Sequence, residues 1–249
     1  MKTQLYINAD CLPEIKKLPD KYFDLAIVDP PYGINATKMS MGTNKTRSKN
    51  GYPSESTAKR IRKGRLNSGA GKLKNRALNT LNCDWDFEKP TAEYFQQLFR
   101  VTKNQIIMGG NYFELPPTRG FVIWDKLQPW DNFSQVEFIW TSFDCPAKLF
   151  RYSNTGGKNA EIKIHATQKP IELYEWLIAK FAKQGDIILD THVGSASSLI
   201  ACYNLGFEFI GYEKDEEIYK NSLERLKKSM EQITWHNANE SEFYQMELY

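Results

Sequence analysis

The sequence predicts an α/β fold: a seven-strand, mostly parallel sheet with helices on both faces. Three observations carry this. Apolar runs of the kind buried in parallel sheets recur along the chain, Leu25-Ala26-Ile27-Val28 being the clearest. Segments of helical periodicity separate them. The strands also end in acids: Asp10 and Asp29 share one edge, and Asp190 and Glu213 belong to a strand, glycine turn, helix, strand, acid unit. The carboxyl edge of such a sheet is where open α/β folds bind ligands. The 249 residues can bury a full core and read as one domain, 1–249, with an insertion at 35–84.

Taken in order, Gln4 to Asn8 is a short strand and Cys11 to Leu18 a short helix closed by Pro19-Asp20. Phe23 to Val28 is the next strand. Thr91 to Arg100 is a helix whose start, Pro90-Thr91-Ala92-Glu93, supplies a cap and an early acid. Gln105 to Met108 is a strand ending in Gly109-Gly110-Asn111-Tyr112. Gly120 to Trp124 and Val136 to Trp140 are an antiparallel pair at one edge. Ala147 to Ala160 reads as irregular. Ile171 to Lys183 is a helix with Ile171, Tyr174, Leu177, Ile178 and Phe181 on its core face, and Pro170 suits its first turn. Asp186 to Asp190 is a strand expected beside the Leu25 strand at the sheet centre. A small-residue turn leads to a helix, Ser197 to Leu205, then a strand, Phe207 to Tyr212. The last helix spans Asp215 to Met230, ahead of an acidic, aromatic tail.

The composition is that of an ordinary globular protein. No run is long enough to span a bilayer and no apolar leader follows Met1-Lys2, which points to a cytoplasmic protein without a membrane. Cys11, Cys83, Cys145 and Cys202 are scattered, as are three histidines, so neither a zinc site nor a disulfide framework is expected. Charge is the asymmetric feature. Between Thr37 and Arg76, twelve lysines and arginines face the single acid Glu55, a local +11 in a chain of net +3. A block of this kind favours a polyanion.

Asp29-Pro30-Pro31-Tyr32 is the stretch with chemistry in it. Two prolines stiffen the loop and remove two N–H donors. A carboxylate (Asp29), a carbonyl (Pro30) and an aromatic face (Tyr32) thus surround one point. A planar amine with two N–H groups fits there, and an exocyclic nucleobase amino group is one. Downstream, Thr167, Gln168 and Lys169 precede a helix start, a place suited to a carboxylate. The turn Val193-Gly194-Ser195-Ala196-Ser197 lacks the dinucleotide fingerprint, and Glu213, 23 positions after Asp190, is placed to hold ribose hydroxyls.

With these two motifs the chain resembles the DNA amino-methyltransferases that use S-adenosylmethionine. The order, catalytic motif first and cofactor motif last, is similar to the permuted β class, which includes many adenine-N6 enzymes. The resemblance covers roughly residues 4–34 and 91–230. It implies a Rossmann-like methyltransferase fold, circularly permuted in its motif order. It assigns the target base to Asp29, Pro30, Pro31 and Tyr32. It assigns the cofactor to Asp10 and Cys11 (adenine), Glu213 (ribose), and Asp190, Thr191, His192, Gly194, Ser195, Thr167, Gln168 and Lys169 (methionine end), with no metal. Thr191-His192 and Ala196 depart from the family's usual Pro-Phe and second glycine.

The expected reaction is methyl transfer to the N6 amino group of a flipped-out adenine in double-stranded DNA. Arg60, Arg62, Lys63 and Arg65 of the insertion, and Lys148, Arg151 and Lys158 of a target-recognition segment at 143–164, are the expected DNA contacts. A cytosine-N4 enzyme and a nucleic-acid-binding protein of this fold without catalysis are the alternatives. A homodimer and a cognate restriction nuclease are left open.

Overall fold

The parallel strands stand where unbroken apolar runs put them, because a strand covered on both faces needs no polar alternation. The computed structural model describes residues 3–34, 88–127, 134–153, 163–165 and 167–246, with side chains described through 232. They fall into two units: Met1–Asp29, Gln96–Gln105 and Lys169–Tyr249 form one, Pro30–Phe95 and Ile106–Gln168 the other.

The first unit holds β1 (Gln4–Asn8), α1 (Cys11–Lys16), β2 (Phe23–Val28), and parts of α2 (Ala92–Val101) and β3 (Thr102–Met108), which continue into the second. Its strand order is β1, β8 (Glu208–Glu213), β7 (Ile187–Asp190), β2. All three neighbouring pairs are parallel, with Asn8 opposite Glu213, Asp190 opposite Gly211, and Ala26 opposite Leu189. The Ile187 strand does lie against the Leu25 strand. Five of the six β2 residues are buried, as a central strand requires.

After β3 come β4 (Val122–Asp125), β5 (Val136–Thr141), β6 (Lys148–Arg151), α3 (Ile171–Phe181), β7 (Ile187–Asp190), α4 (Ser197–Asn204), β8 (Glu208–Glu213) and α5 (Glu216–Met246). Leu173, Tyr174, Leu177 and Ile178 form the buried face of α3, and Pro170 is its N-cap rather than its first helical residue. Gly211 matters for the packing of α4 on β8. A Cβ there would come within 2.8 Å of Val193 Cγ2 and 2.9 Å of Leu199 Cδ1, both buried. Gly211→Ala is therefore expected to destabilise by about 1–3 kcal/mol, measured as a shift in urea midpoint.

The second unit carries the strand order β3, β5, β4, β6. The β4–β5 pair is antiparallel, as expected, with Val122 opposite Ile139 and Asp125 opposite Val136. Among the described residues the sheet has eight strands where seven were expected, and the extra one is β6, parallel to β4 with Asp125 opposite Arg151. It lies in the stretch read as irregular, because of its four residues only Phe150 is buried and the polar neighbours mask the alternation. The final helix also runs on to Met246 instead of stopping near Met230. Its sequence from Glu216 to Met246 contains neither glycine nor proline, so nothing in the backbone chemistry ends it earlier.

The insertion at 35–84 lies outside the described residues, with Arg60, Arg62, Lys63 and Arg65, as do Lys158 and 154–162 of the target-recognition segment. No helix among the described residues is long and apolar enough to cross a membrane.

Candidate active site

Because β1, β8, β7 and β2 run parallel, their carboxyl ends deliver Asp10, Glu213, Asp190 and Asp29 to one edge of the first unit. Each acid is held by its own chain. Asp10 caps α1, accepting the Leu12 N–H at 3.0 Å. Glu213 accepts the Gly194 N–H at 3.0 Å on one oxygen and the Asp215 N–H at 2.9 Å on the other. Burial still pushes its carboxyl up, against those two bonds. Asp190 is 2% exposed and accepts the Ser198 hydroxyl at 2.5 Å and the His192 N–H at 2.9 Å. Burial pushes it up to about 7, and the charges of Asp29 and Glu213 add to the rise.

Around these acids the groups are electrically quiet. The Cys11 thiol is buried and pushed up to about 12, first by that burial and then by Asp10. It stays protonated and packs as a small apolar group. Burial and then Lys214 lower His192 to about 4, so its ring is neutral, with Nδ1 2.9 Å from the Thr191 hydroxyl.

The glycine turn has two left-handed residues, Gly194 at φ +54 and Ala196 at φ +64. No atom stands within 4 Å of where a Gly194 Cβ would lie, so a ligand could approach this backbone closely. The turn is fastened from α5 and from the segment leading into α3. Arg225 donates to the Ser195 carbonyl at 2.6 Å and to the Ser197 hydroxyl at 3.0 Å. Ser197 in turn donates to the Lys169 carbonyl at 2.8 Å. The Lys169 ammonium, with a side chain only 6% exposed, is paired with the Asp29 carboxylate.

In the second unit, Tyr32 is fixed on several sides. Its ring stacks on Tyr112 at 4.8 Å and 15° and meets Phe113 edge-on at 6.1 Å. Its hydroxyl donates to Glu137 at 2.9 Å. Gly109, at φ +61, lies so close to the ring that any Cβ would collide with it. Gln168 is buried and accepts the Ile164 N–H at 2.9 Å, while the Thr167 hydroxyl lies 3.1 Å from His165 Nδ1. Lys148 and Arg151 sit on β6, where Arg151 reaches Asp125 at 3.4 Å.

A family model for DNA methylases of the N6 and N4 type matches residues 74–225, more than half of the chain. The chain belongs to this DNA methylase family. Among curated relatives of the family, the type II methyltransferase M.HpaI of Haemophilus parainfluenzae is 36% identical over 81 residues, 32% of this chain and 26% of the relative. M.HindIII of Haemophilus influenzae is 42% identical over 62 residues, 25% of this chain and 20% of the relative. The chain thus spans about a quarter of the length of the curated relatives it matches. In fold it is similar to the structure of the M1.HpyAVI–SAM complex, at a TM-score of 0.51 and 20% identity, covering 90% of this chain and 100% of the other.

For a DNA methylase, the sequence missed the residues that hold the site together. Ser198 and Ser197 lay inside a turn already marked by its small residues, so a buried hydroxyl facing Asp190 was within reach. Arg225 and Glu137 carried no local signal, since their partners lie 30 and 105 residues away. Among the described residues no group of acids, cysteines and histidines is arranged to hold a metal.

The raised carboxyl of Asp190 has a pH consequence. Between about pH 4 and 7 the folded chain keeps a proton there that the unfolded chain has released. Stability from this group is therefore lost as pH rises through that window, by up to about 1.4 kcal/mol per pH unit. Urea unfolding of wild type and Asp190→Asn at pH 5 and pH 8 checks this: the variant should lack that share of the decline.

Proposed function

We propose that this chain transfers the methyl group of S-adenosylmethionine to the N6 amino group of an adenine flipped out of double-stranded DNA. The observation that carries the reading is the Asp29 carboxylate, held by Lys169 at the same strand edge as Asp10, Glu213 and Asp190. The donor set fits the cofactor. The buried Asp190 and the half-buried Glu213 suit its cationic and hydroxylated parts, the open space over Gly194 suits close approach, and Asp10 and Cys11 stand ready for its adenine. Thr167, Gln168 and Lys169 are proposed for its methionine end. Thr191, His192 and Ser195 are assigned to the same pocket from their place in the turn. When bound, the cofactor supplies an already activated methyl group, so no metal is needed.

The chain's own residues then do the following. Asp29 and the Pro30 carbonyl accept the two N–H groups of the target amine. That favours a pyramidal nitrogen whose lone pair is no longer spread into the ring. The charge that grows on this nitrogen is stabilised by Asp29, an interaction stronger in the transition state than before it. Pro31 keeps the loop stiff, and Tyr32 offers a face for stacking.

The test is incubation with radiolabelled cofactor and unmodified duplex DNA, followed by digestion and mass analysis of the nucleosides. N6-methyladenine is the expected product. N4-methylcytosine, also within the scope of the family, would overturn the choice of base. Label in neither, with cofactor bound, would overturn the catalytic reading. A cognate nuclease and self-association are carried as expectations of the resemblance alone.

The +11 block yields a separate prediction. Each phosphate contact on duplex DNA contributes about 0.9 to the slope of log K against log salt. Neutralising Arg60, Arg62, Lys63 and Arg65 together should weaken specific and non-specific binding alike. It should flatten the salt slope by up to a few units without changing the methylated sequence. Titrations across a salt series, with the modified site mapped for both proteins, decide it.

A further inference from the structure

Glu137 stands on β5 opposite Trp124 of β4, and Lys126 lies one residue past the end of β4. One Glu137 oxygen accepts the Tyr32 hydroxyl at 2.9 Å, and the other meets the Lys126 ammonium at 2.9 Å. Both charged side chains are largely out of water, Lys126 at 16% and Glu137 at 12% exposure. Lys126 also sits 5.1 Å from the centre of the Trp124 ring. A pair withdrawn from water in this way is a poor stabiliser compared with two apolar side chains of the same size. What the pair visibly holds is a phenol hydroxyl.

That hydroxyl belongs to the aromatic residue of the Asp-Pro-Pro-Tyr loop. Stacking on Tyr112 and the edge of Phe113 limits where the ring can slide. The hydrogen bond to Glu137 adds a fixed point at the far end of the ring, at its hydroxyl. A carboxylate acceptor also polarises the phenol and enriches the ring in electrons. An electron-rich ring is the better neighbour for a base that becomes cationic as it is methylated.

We propose that Glu137, braced by Lys126, is a positioning residue for the target base, acting through the Tyr32 hydroxyl. The inference rests on the reading of Tyr32 as the residue on which the base stacks. It adds a requirement that reading does not contain: the hydroxyl, and not only the ring, contributes to transfer.

The test uses the full chain with duplex DNA carrying 2-aminopurine at the target adenine, whose fluorescence reports stacking, and single-turnover transfer to the unmodified duplex. Lys126→Met and Glu137→Leu are introduced together so that no charge is left stranded, and the combination is built with and without Tyr32→Phe. The paired substitution should slow transfer roughly ten- to a hundredfold, the range for a hydrogen bond to a charged group, and should change the 2-aminopurine signal. Cofactor affinity should not move. Tyr32→Phe should have a similar effect, and adding the pair to it should cost nothing more. Transfer at wild-type speed in the paired variant, or a further loss of equal size in the Tyr32→Phe background, would overturn the proposal. Glu137→Gln combined with Lys126→Met keeps an acceptor for the hydroxyl and strands no charge. Relative to the Leu/Met pair it should recover most of the rate, and failure to do so counts against the proposal. Tyr32→Ala separates the two levels. If it transfers normally, the stacking reading falls. If it fails while the paired variant is silent, only the role of Glu137 falls.

Discussion

Asp29→Asn should slow methyl transfer by roughly two to three orders of magnitude or more, the scale set by loss of one transition-state acceptor in a water-poor site. Asparagine is the right replacement because of the pairing found here. Alanine would leave the Lys169 ammonium buried beside a hole, and part of any loss would then reflect misfolding. Asparagine keeps the shape and an oxygen for the Lys169 amine while removing the charge that answers the developing positive nitrogen. The measurement is single-turnover transfer at saturating cofactor and DNA, with thermal unfolding run alongside. DNA binding should largely hold, since phosphate contacts are assigned elsewhere and this carboxylate is assigned only the amino group of the flipped base. Near-normal turnover in a folded variant would remove Asp29 from the reaction.

Lys169→Met tests the same pair from the other side, and its first effect should be on stability. Removing one partner from a pair this far out of water typically costs about 3–5 kcal/mol, because the remaining charge is left uncompensated. Urea midpoints compared with wild type give the size. A loss well below that range would mean that Lys169 contributes packing and not charge. Lys169→Arg should retain much of the stability but not the geometry, since a planar fork replaces a point charge.

Much of the fold was legible because its signals are local. An apolar run followed by an acid is a strand end, and β1, β2, β7 and β8 were found that way within a residue or two. The glycine turn, the start of α3 and the antiparallel β4–β5 pair were equally local. What escaped was whatever depends on contact across the chain. The strand β6 has one buried residue in four, so only its pairing with β4 makes it a strand. Lys169 was assigned to a helix start from its neighbours, yet its amine pairs with a carboxylate 140 positions earlier. Glu137 looked like one polar residue in an edge strand, and its role appears only once Tyr32 and Lys126 stand on either side of it.

Ala196 sets a limit on how this chain can vary. Its backbone lies in the left-handed region, where an L-residue costs roughly 1–2 kcal/mol, and its methyl is fully enclosed. The hydrogen bonds that Arg225 and Ser197 make around the turn hold it there. A branched side chain would add steric conflict to an unfavourable torsion, and a long one would have no space to enter. In a library randomised at this codon and selected for a folded product, the survivors should collapse to an alphabet of two letters, alanine and glycine. A neighbouring position such as Lys214, exposed at the end of β8, should accept almost any residue under the same selection.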